Sequence, residues 1–220
     1  MGKYIVGVDV GGTKTAYGLF DERLSLIEAL REPSNRELTA QAFADNIIKT
    51  ANALLKKHGI RHADLKGVGL CMPSFIDYNT QTVIFTPNLP LLRDFAVCDY
   101  MSCVLGAPVR LDNDSNAAAL AEHRRGAGKG ARNMLYCAIG TGLGLGIILD
   151  GKVFRGDNGW AGESGHMITC PDCGGDYDSY VAGGGIVKRL ASRLRTGEKS
   201  MLRELCGGNP DTLNARHLLC

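Results

Sequence analysis

No run of about 18 consecutive apolar residues occurs in this chain of 220 residues, so a membrane-spanning helix of ordinary length is not expected. The residues after Met1 lack the basic segment, apolar core and small-residue cleavage site of a secretion signal, and a cytoplasmic protein is expected. A formal net charge of only +2 gives no field that would favour nucleic acid or a membrane surface. No internal repeat or low-complexity stretch stands out. The spacing of a P-loop is missing, and no Gly-x-Gly-x-x-Gly stretch opens a helix as a dinucleotide fingerprint requires. Eight cysteines are present but scattered, and a disulfide framework is not expected in a chain of this size without a secretion signal. Cys71 and Cys137 fall inside apolar strand candidates and are expected to behave as small core residues.

What is present is ordinary in bulk and specific in detail. An apolar content of 45% with 22% charge suits one large globular domain or two small ones. Strands are expected near 4–8, 15–20 and 24–29, then a helix over 39–58 with Leu38, Ala42, Ile47, Ile48, Ala51, Leu54 and Leu55 on or near one face. Further strands are expected at 68–71, 82–85, 109–111 and 134–139, with helices near 94–105 and 115–125.

The first chemically informative stretch is Asp9-Val10-Gly11-Gly12-Thr13-Lys14-Thr15, between the strand candidates Tyr4–Val8 and Ala16–Phe20. A strand, a Gly-Gly turn and a second strand leave backbone N–H groups at the tip, where they can cradle phosphate oxygens. Asp9 adds a carboxylate suited to a hydrated Mg²⁺, Thr13 and Thr15 add hydroxyls, and Lys14 adds a cation. An ordinary hairpin is the plain alternative. A second glycine cluster, Gly140-Thr141-Gly142-Leu143-Gly144-Leu145-Gly146, again follows an apolar strand and leads into another, Ile147-Ile148-Leu149. Two such turns, one early and one late, point to a two-lobed nucleotide-binding protein.

Asp112-Asn113-Asp114-Ser115-Asn116 lies where a strand passes into a helix. Asp, Asn and Ser are also the preferred capping residues, so a plain helix cap is the alternative there. Glu163-Ser164-Gly165-His166 sits among glycines and pairs a carboxylate with an imidazole, a close acceptor and donor. His166 is followed closely by Cys170, Cys173 and Asp176, for which a reduced cysteine pair in a loop is the plain reading.

Together these segments resemble the sugar kinases of the ROK family (repressors, open reading frames, kinases), over roughly residues 4 to 190. The resemblance implies an α/β, two-lobed actin-like ATPase (ribonuclease H-like) fold. The N-terminal lobe is expected over 1–120. A C-terminal lobe is expected over 121–220, and it is expected to be incomplete, because the family's late adenine-side segment has no counterpart here. The implied activity is ATP-dependent phosphorylation of a hexose hydroxyl. Asp9, Gly11, Gly12, Thr13, Lys14, Gly140, Thr141, Gly142 and Gly144 would then hold ATP and Mg²⁺. Asn88, in Thr86-Pro87-Asn88-Leu89-Pro90, would bind the sugar with Asn113, Glu163 and His166, and Asp114 would be the general base. Asp178 falls where the family has a sugar-contacting glutamate, one carbon shorter. The family often carries a structural zinc after the sugar-binding histidine, in a Cys-x-Cys spacing that here is Cys-x-x-Cys with Asp176 in place of a third cysteine. A homodimer is a further implication, and nucleic acid and membrane are not expected partners. The alternatives are a non-catalytic sugar-binding module and a sugar-responsive regulator lacking its DNA-binding segment. Glucose is the default sugar, with allose, fructose, mannose and N-acetylmannosamine also possible for the family.

Overall fold

A computed structural model describes residues 3–87, 89–140, 142–170 and 175–218. The chain divides into two units, one of residues 1–118 with 156–160, the other of residues 119–155 with 161–220.

The first unit opens with β1 (Tyr4–Val10), β2 (Lys14–Phe20) and β3 (Leu26–Pro33). Then come α1 (Ala40–Lys57), β4 (Leu65–Met72), β5 (Phe75–Asp77), β6 (Thr82–Phe85), α2 (Val97–Leu105), β7 (Val109–Asn113) and the start of α3 (Asp114–Arg125). Five strands form one sheet in the order β3-β2-β1-β4-β7. The β1–β2 and β2–β3 pairs are antiparallel, while β1–β4 and β4–β7 are parallel. Period-two alternation explains which side is covered. Val6, Val8 and Val10 of β1 are buried, as are Val68, Leu70 and Met72 of β4 and Val109 and Leu111 of β7. Against this core pack Phe43, Ala44, Ile47, Ile48, Ala51, Leu54 and Leu55 of α1, with Val97, Cys98, Met101 and Leu105 of α2. Each fully buried Val, Leu, Ile or Met of that set contributes about 1.5–3 kcal/mol of hydrophobic stabilisation.

Local signals set the helix ends. The Thr39 side chain accepts the Ala42 N–H at the start of α1, and Gly59 takes a positive φ just past its end. α2 starts at Val97 rather than near residue 94, because Phe95 is bridged to Val83 by two backbone hydrogen bonds, which holds it extended.

In the second unit α3 ends and β8 (Met134–Ile139), β9 (Leu143–Leu149) and β10 (Lys152–Val153) form an antiparallel sheet. Asp150 and Gly151 both take positive φ between β9 and β10, as a two-residue hairpin turn of the primed type needs. A short ribbon of β11 (Ile168–Cys170) and β12 (Gly175–Asp176) leads into α4 (Tyr177–Val181), α5 (Gly183–Arg195) and α6 (Leu202–Leu205). Ala191, Leu194, Cys206 and Leu213 form a small core there, with Val187, Leu190 and Leu202 packed against it.

Two expectations need correction. Cys137 is exposed, not a core residue, because it shares an open face of β8 with Leu135 and Ile139, which are 61% and 64% exposed. The second glycine stretch is mostly strand: Gly144 pairs with Ala138 and Gly146 with Tyr136, so only its first residues can form the turn. Among the described residues no helix is long and apolar enough to cross a membrane.

Candidate active site

The register of the first sheet brings the acidic residues together. Asp9 pairs with Cys71, and Cys71 with Asp112, in one row near the C-terminal ends of β1, β4 and β7. The carboxyl ends of parallel strands are where open α/β sheets bind ligands. Asp114 follows immediately as the first residue of α3. Burial is the main cause that raises its proton affinity above the ordinary carboxylate range. The Ser115 backbone N–H opposes that rise, and the charge of Asp9 adds to it. The Cys71 thiol donates toward Asp9 Oδ1 at 3.6 Å. Burial, followed by the charges of Asp9 and Asp114, pushes that thiol far up, so it stays neutral.

Capping and a catalytic role coexist at the β7–α3 junction. Asn113 Oδ1 accepts the backbone N–H groups of Ser115 at 2.9 Å and Asn116 at 3.3 Å, and Asp114 Oδ1 accepts that of Ser115 at 2.8 Å. The Asn113 Nδ2 group takes no part in this cap. Tyr78, which the sequence did not single out for this site, steadies the junction together with Asp112 and Asn116. Asp112 Oδ1 accepts from the Tyr78 hydroxyl at 3.0 Å, from Asn116 Nδ2 at 3.4 Å and from the Asn113 N–H at 2.9 Å. The Tyr78 hydroxyl is pushed up to about 12, by burial first and then by Asp112. Tyr78→Phe is expected to cost about 1.5–3 kcal/mol, the usual range for a hydrogen bond to a charged group, read as a lower midpoint in urea denaturation.

The first glycine turn is closed by Gly11 N–H on Lys14 O at 2.9 Å. Ser34, at the end of β3, clamps it: its Oγ donates to Gly11 O at 2.7 Å and its N–H to Thr13 O at 3.0 Å. Thr15, expected to add a hydroxyl for a ligand, is instead buried, with its Oγ1 2.9 Å from Ser34 Oγ. Thr13 and Lys14 are exposed at the tip beside Gly12.

In the second unit Gly140 N–H reaches Gly142 O at 2.9 Å, and Gly183 N–H reaches Gly140 O at 2.9 Å. Leu143 N–H donates to Asp178 Oδ1 at 2.6 Å. Glu163 precedes a single 3₁₀ turn, Ser164–His166, that leaves His166 exposed. That turn is seated against β9, since Leu145 N–H donates to Gly162 O at 3.3 Å and Ser164 N–H to the same oxygen at 2.8 Å.

Asn88, Thr141 and Cys173 lie outside the described residues, as does the side chain of Cys170. Among the described residues no group of three or more His, Cys, Asp or Glu is gathered to hold a metal ion. Asp176, expected as a zinc ligand, caps α4: its carboxylate accepts the Ser179 N–H at 2.9 Å and the Ser179 hydroxyl. Of the four residues of the zinc expectation, only His166 and Asp176 have side chains among the described residues, and Asp176 is engaged at the start of α4.

Comparison with known proteins places this geometry in a class. Residues 5–219 match the ROK family. A glucokinase from Streptomyces coelicolor is 33% identical over 222 residues, covering 97% of this chain and 68% of that protein. The crystal structure of a ROK family glucokinase from Streptomyces griseus in complex with glucose and AMPPNP is 32% identical, with a TM-score of 0.76 over 98% of this chain and 69% of that one. A xylose repressor from Bacillus spizizenii is 31% identical over 208 residues, 90% of this chain and 52% of that protein. The fold is thus the α/β fold of the solved ROK kinases, as expected. The chain belongs to the ROK family.

Proposed function

We propose that this chain is an ATP-dependent carbohydrate kinase that phosphorylates a hexose hydroxyl, with Asp114 as the general base. The observation that carries this is the carboxylate of Asp114 at the head of α3, whose proton affinity is raised by burial and by Asp9. A sugar hydroxyl is far less acidic than a carboxyl group. Asp114 therefore takes the proton as the oxygen attacks phosphorus rather than beforehand.

The remaining roles follow from donor chemistry. Asn113, its Oδ1 spent on the cap, is suited to offer Nδ2 hydrogens to a sugar oxygen. Glu163 and His166 add an acceptor and a donor for ring hydroxyls. Asn88 joins them on the strength of its segment alone. The backbone amides of the two glycine turns suit phosphate oxygens, and Lys14 adds positive charge at the first. Asp9 is an exposed carboxylate one residue before that turn, a fitting holder for the Mg²⁺ that accompanies ATP. That ion would neutralise charge on the transferring phosphoryl group.

The purified chain with Mg²⁺-ATP and a panel of hexoses, headed by glucose, is expected to release ADP only when a sugar is present. The glucokinase relatives favour glucose as the first candidate. A second reading, sugar binding without transfer, is favoured by the xylose repressor among the relatives. A folded chain that binds a sugar calorimetrically but releases no sugar-dependent ADP would establish that reading and overturn the first.

A further inference from the structure

A glycine turn has no side chains with which to hold its own shape, so its conformation must be imposed by what touches it. In the second unit one carboxylate does much of this. Asp178 lies in the first turn of α4, where the Asp176 cap fixes the helix start. Its Oδ1 takes the Leu143 N–H at 2.6 Å, at the first residue of β9, where the strand leaves the turn. The glycines around it record how closely the carboxylate is packed. A Cβ on Gly142 would lie 3.1 Å from Asp178 Oδ2. A Cβ on Gly165 would lie 2.4 Å from Asp178 Oδ1 and 2.8 Å from Leu143 O. The same group therefore touches the foot of the glycine turn and the segment that carries Glu163 and His166. At the other foot, Gly183 N–H holds Gly140 O at 2.9 Å.

We propose that Asp178 is a positioning residue for nucleotide binding: its carboxylate sets Gly142 and Leu143 at the foot of the second glycine turn and locks them to the Gly165–His166 segment. The inference rests on the kinase reading for its functional consequence. It departs from the resemblance, which makes Asp178 only a sugar contact. A carboxylate near a phosphate-binding turn would repel the ligand unless its charge were engaged by backbone N–H. The bond to Leu143 provides that engagement.

The test uses the full chain as wild type, Asp178→Ala and Asp178→Asn, with two readouts. One is amide exchange at Leu143 in the absence of ligand. The other is the calorimetric affinity for AMPPNP and, separately, for glucose. Asp178→Ala is expected to speed Leu143 exchange and to weaken AMPPNP binding, each about tenfold, the size expected on losing a hydrogen bond to a charged group. Asp178→Asn keeps an oxygen acceptor at Oδ1 and is expected to retain most of both. Should Asp178→Ala fail to fold, Asp178→Asn decides: a Leu143 amide as unprotected as in the denatured chain overturns the proposal, and a protected one upholds it. An Asp178→Ala chain that loses glucose affinity while AMPPNP binding and Leu143 exchange stay unchanged makes Asp178 a sugar ligand alone and overturns the proposal. If the wild type binds neither probe, the kinase reading fails by itself and Leu143 exchange still decides whether the strut exists.

Discussion

Asp114→Asn is expected to leave the chain folded and to reduce sugar-dependent ADP release by about 10²–10⁴-fold, the range typical for loss of a general base. The amide is nearly isosteric and can still accept the Ser115 N–H that Asp114 Oδ1 accepts at 2.8 Å. The α3 start should therefore survive, and circular dichroism checks this. Two pH signatures accompany the loss. Only the ionised carboxylate can take a proton, so wild-type turnover should rise with pH through the elevated pKa of Asp114. The stability signature has the opposite sense. A carboxyl group whose folded pKa is raised binds its proton more tightly folded than unfolded. Its favourable contribution is complete below the ordinary carboxylate value and is lost as pH rises through the folded value. At neutral pH the buried charge thus weakens the fold, and Asp114→Asn should melt at a higher temperature than wild type. Below the ordinary carboxylate pKa the two should melt together. Thermal scans at acidic and neutral pH measure this, and a variant less stable than wild type at neutral pH would refute the burial argument.

Gly162→Ala is the second large effect, expected to destabilise by roughly 2–4 kcal/mol from backbone strain and overpacking together. Gly162 sits at φ +100, a conformation that side chains of L-residues rarely adopt. An added Cβ would also fall 2.2 Å from the carbonyl oxygen of Leu145, a backbone atom that cannot swing aside. Relief requires the segment to lift from β9, which breaks the Leu145 N–H to Gly162 O bond at 3.3 Å. Glu163 and His166 would lose their placement with it, so glucose affinity should fall together with stability. Gly69→Ala is the control: a Cβ there meets nothing within 4 Å and φ is ordinary, so stability should change by no more than about 0.5 kcal/mol. Urea denaturation and glucose titration on the two variants separate a local clash from a general intolerance of added methyl groups.

The parts of the fold legible in the sequence are those with a local cause. The valines of β1 alternate with Gly7 and Asp9, and the apolar face of α1 recurs at helical spacing, so burial reads directly from the order of residues. The second glycine turn is shorter than expected: Gly144 and Gly146 lie in the β9 ladder, because strand pairing overrode their weak intrinsic preference. The site divides the same way. Asp114 and the Glu163–His166 segment stand out by residue type and spacing. Tyr78 on Asp112 and Asp178 on Leu143 join residues 34 and 35 positions apart, and no local pattern announces such a pairing. Ser34, 23 residues from the Gly11 carbonyl it holds, was hidden for the same reason.

The sulfur of Cys71 has a bearing on how this protein ages. Oxidants such as peroxide attack the thiolate, and burial, aided by the charges of Asp9 and Asp114, keeps this sulfur protonated. Among the described residues Cys103 and Cys137 stand in the open. Oxidative wear would therefore mark the surface first, and the chain could collect damage at Cys103 and Cys137 while the row of acids beside Cys71 kept its chemistry.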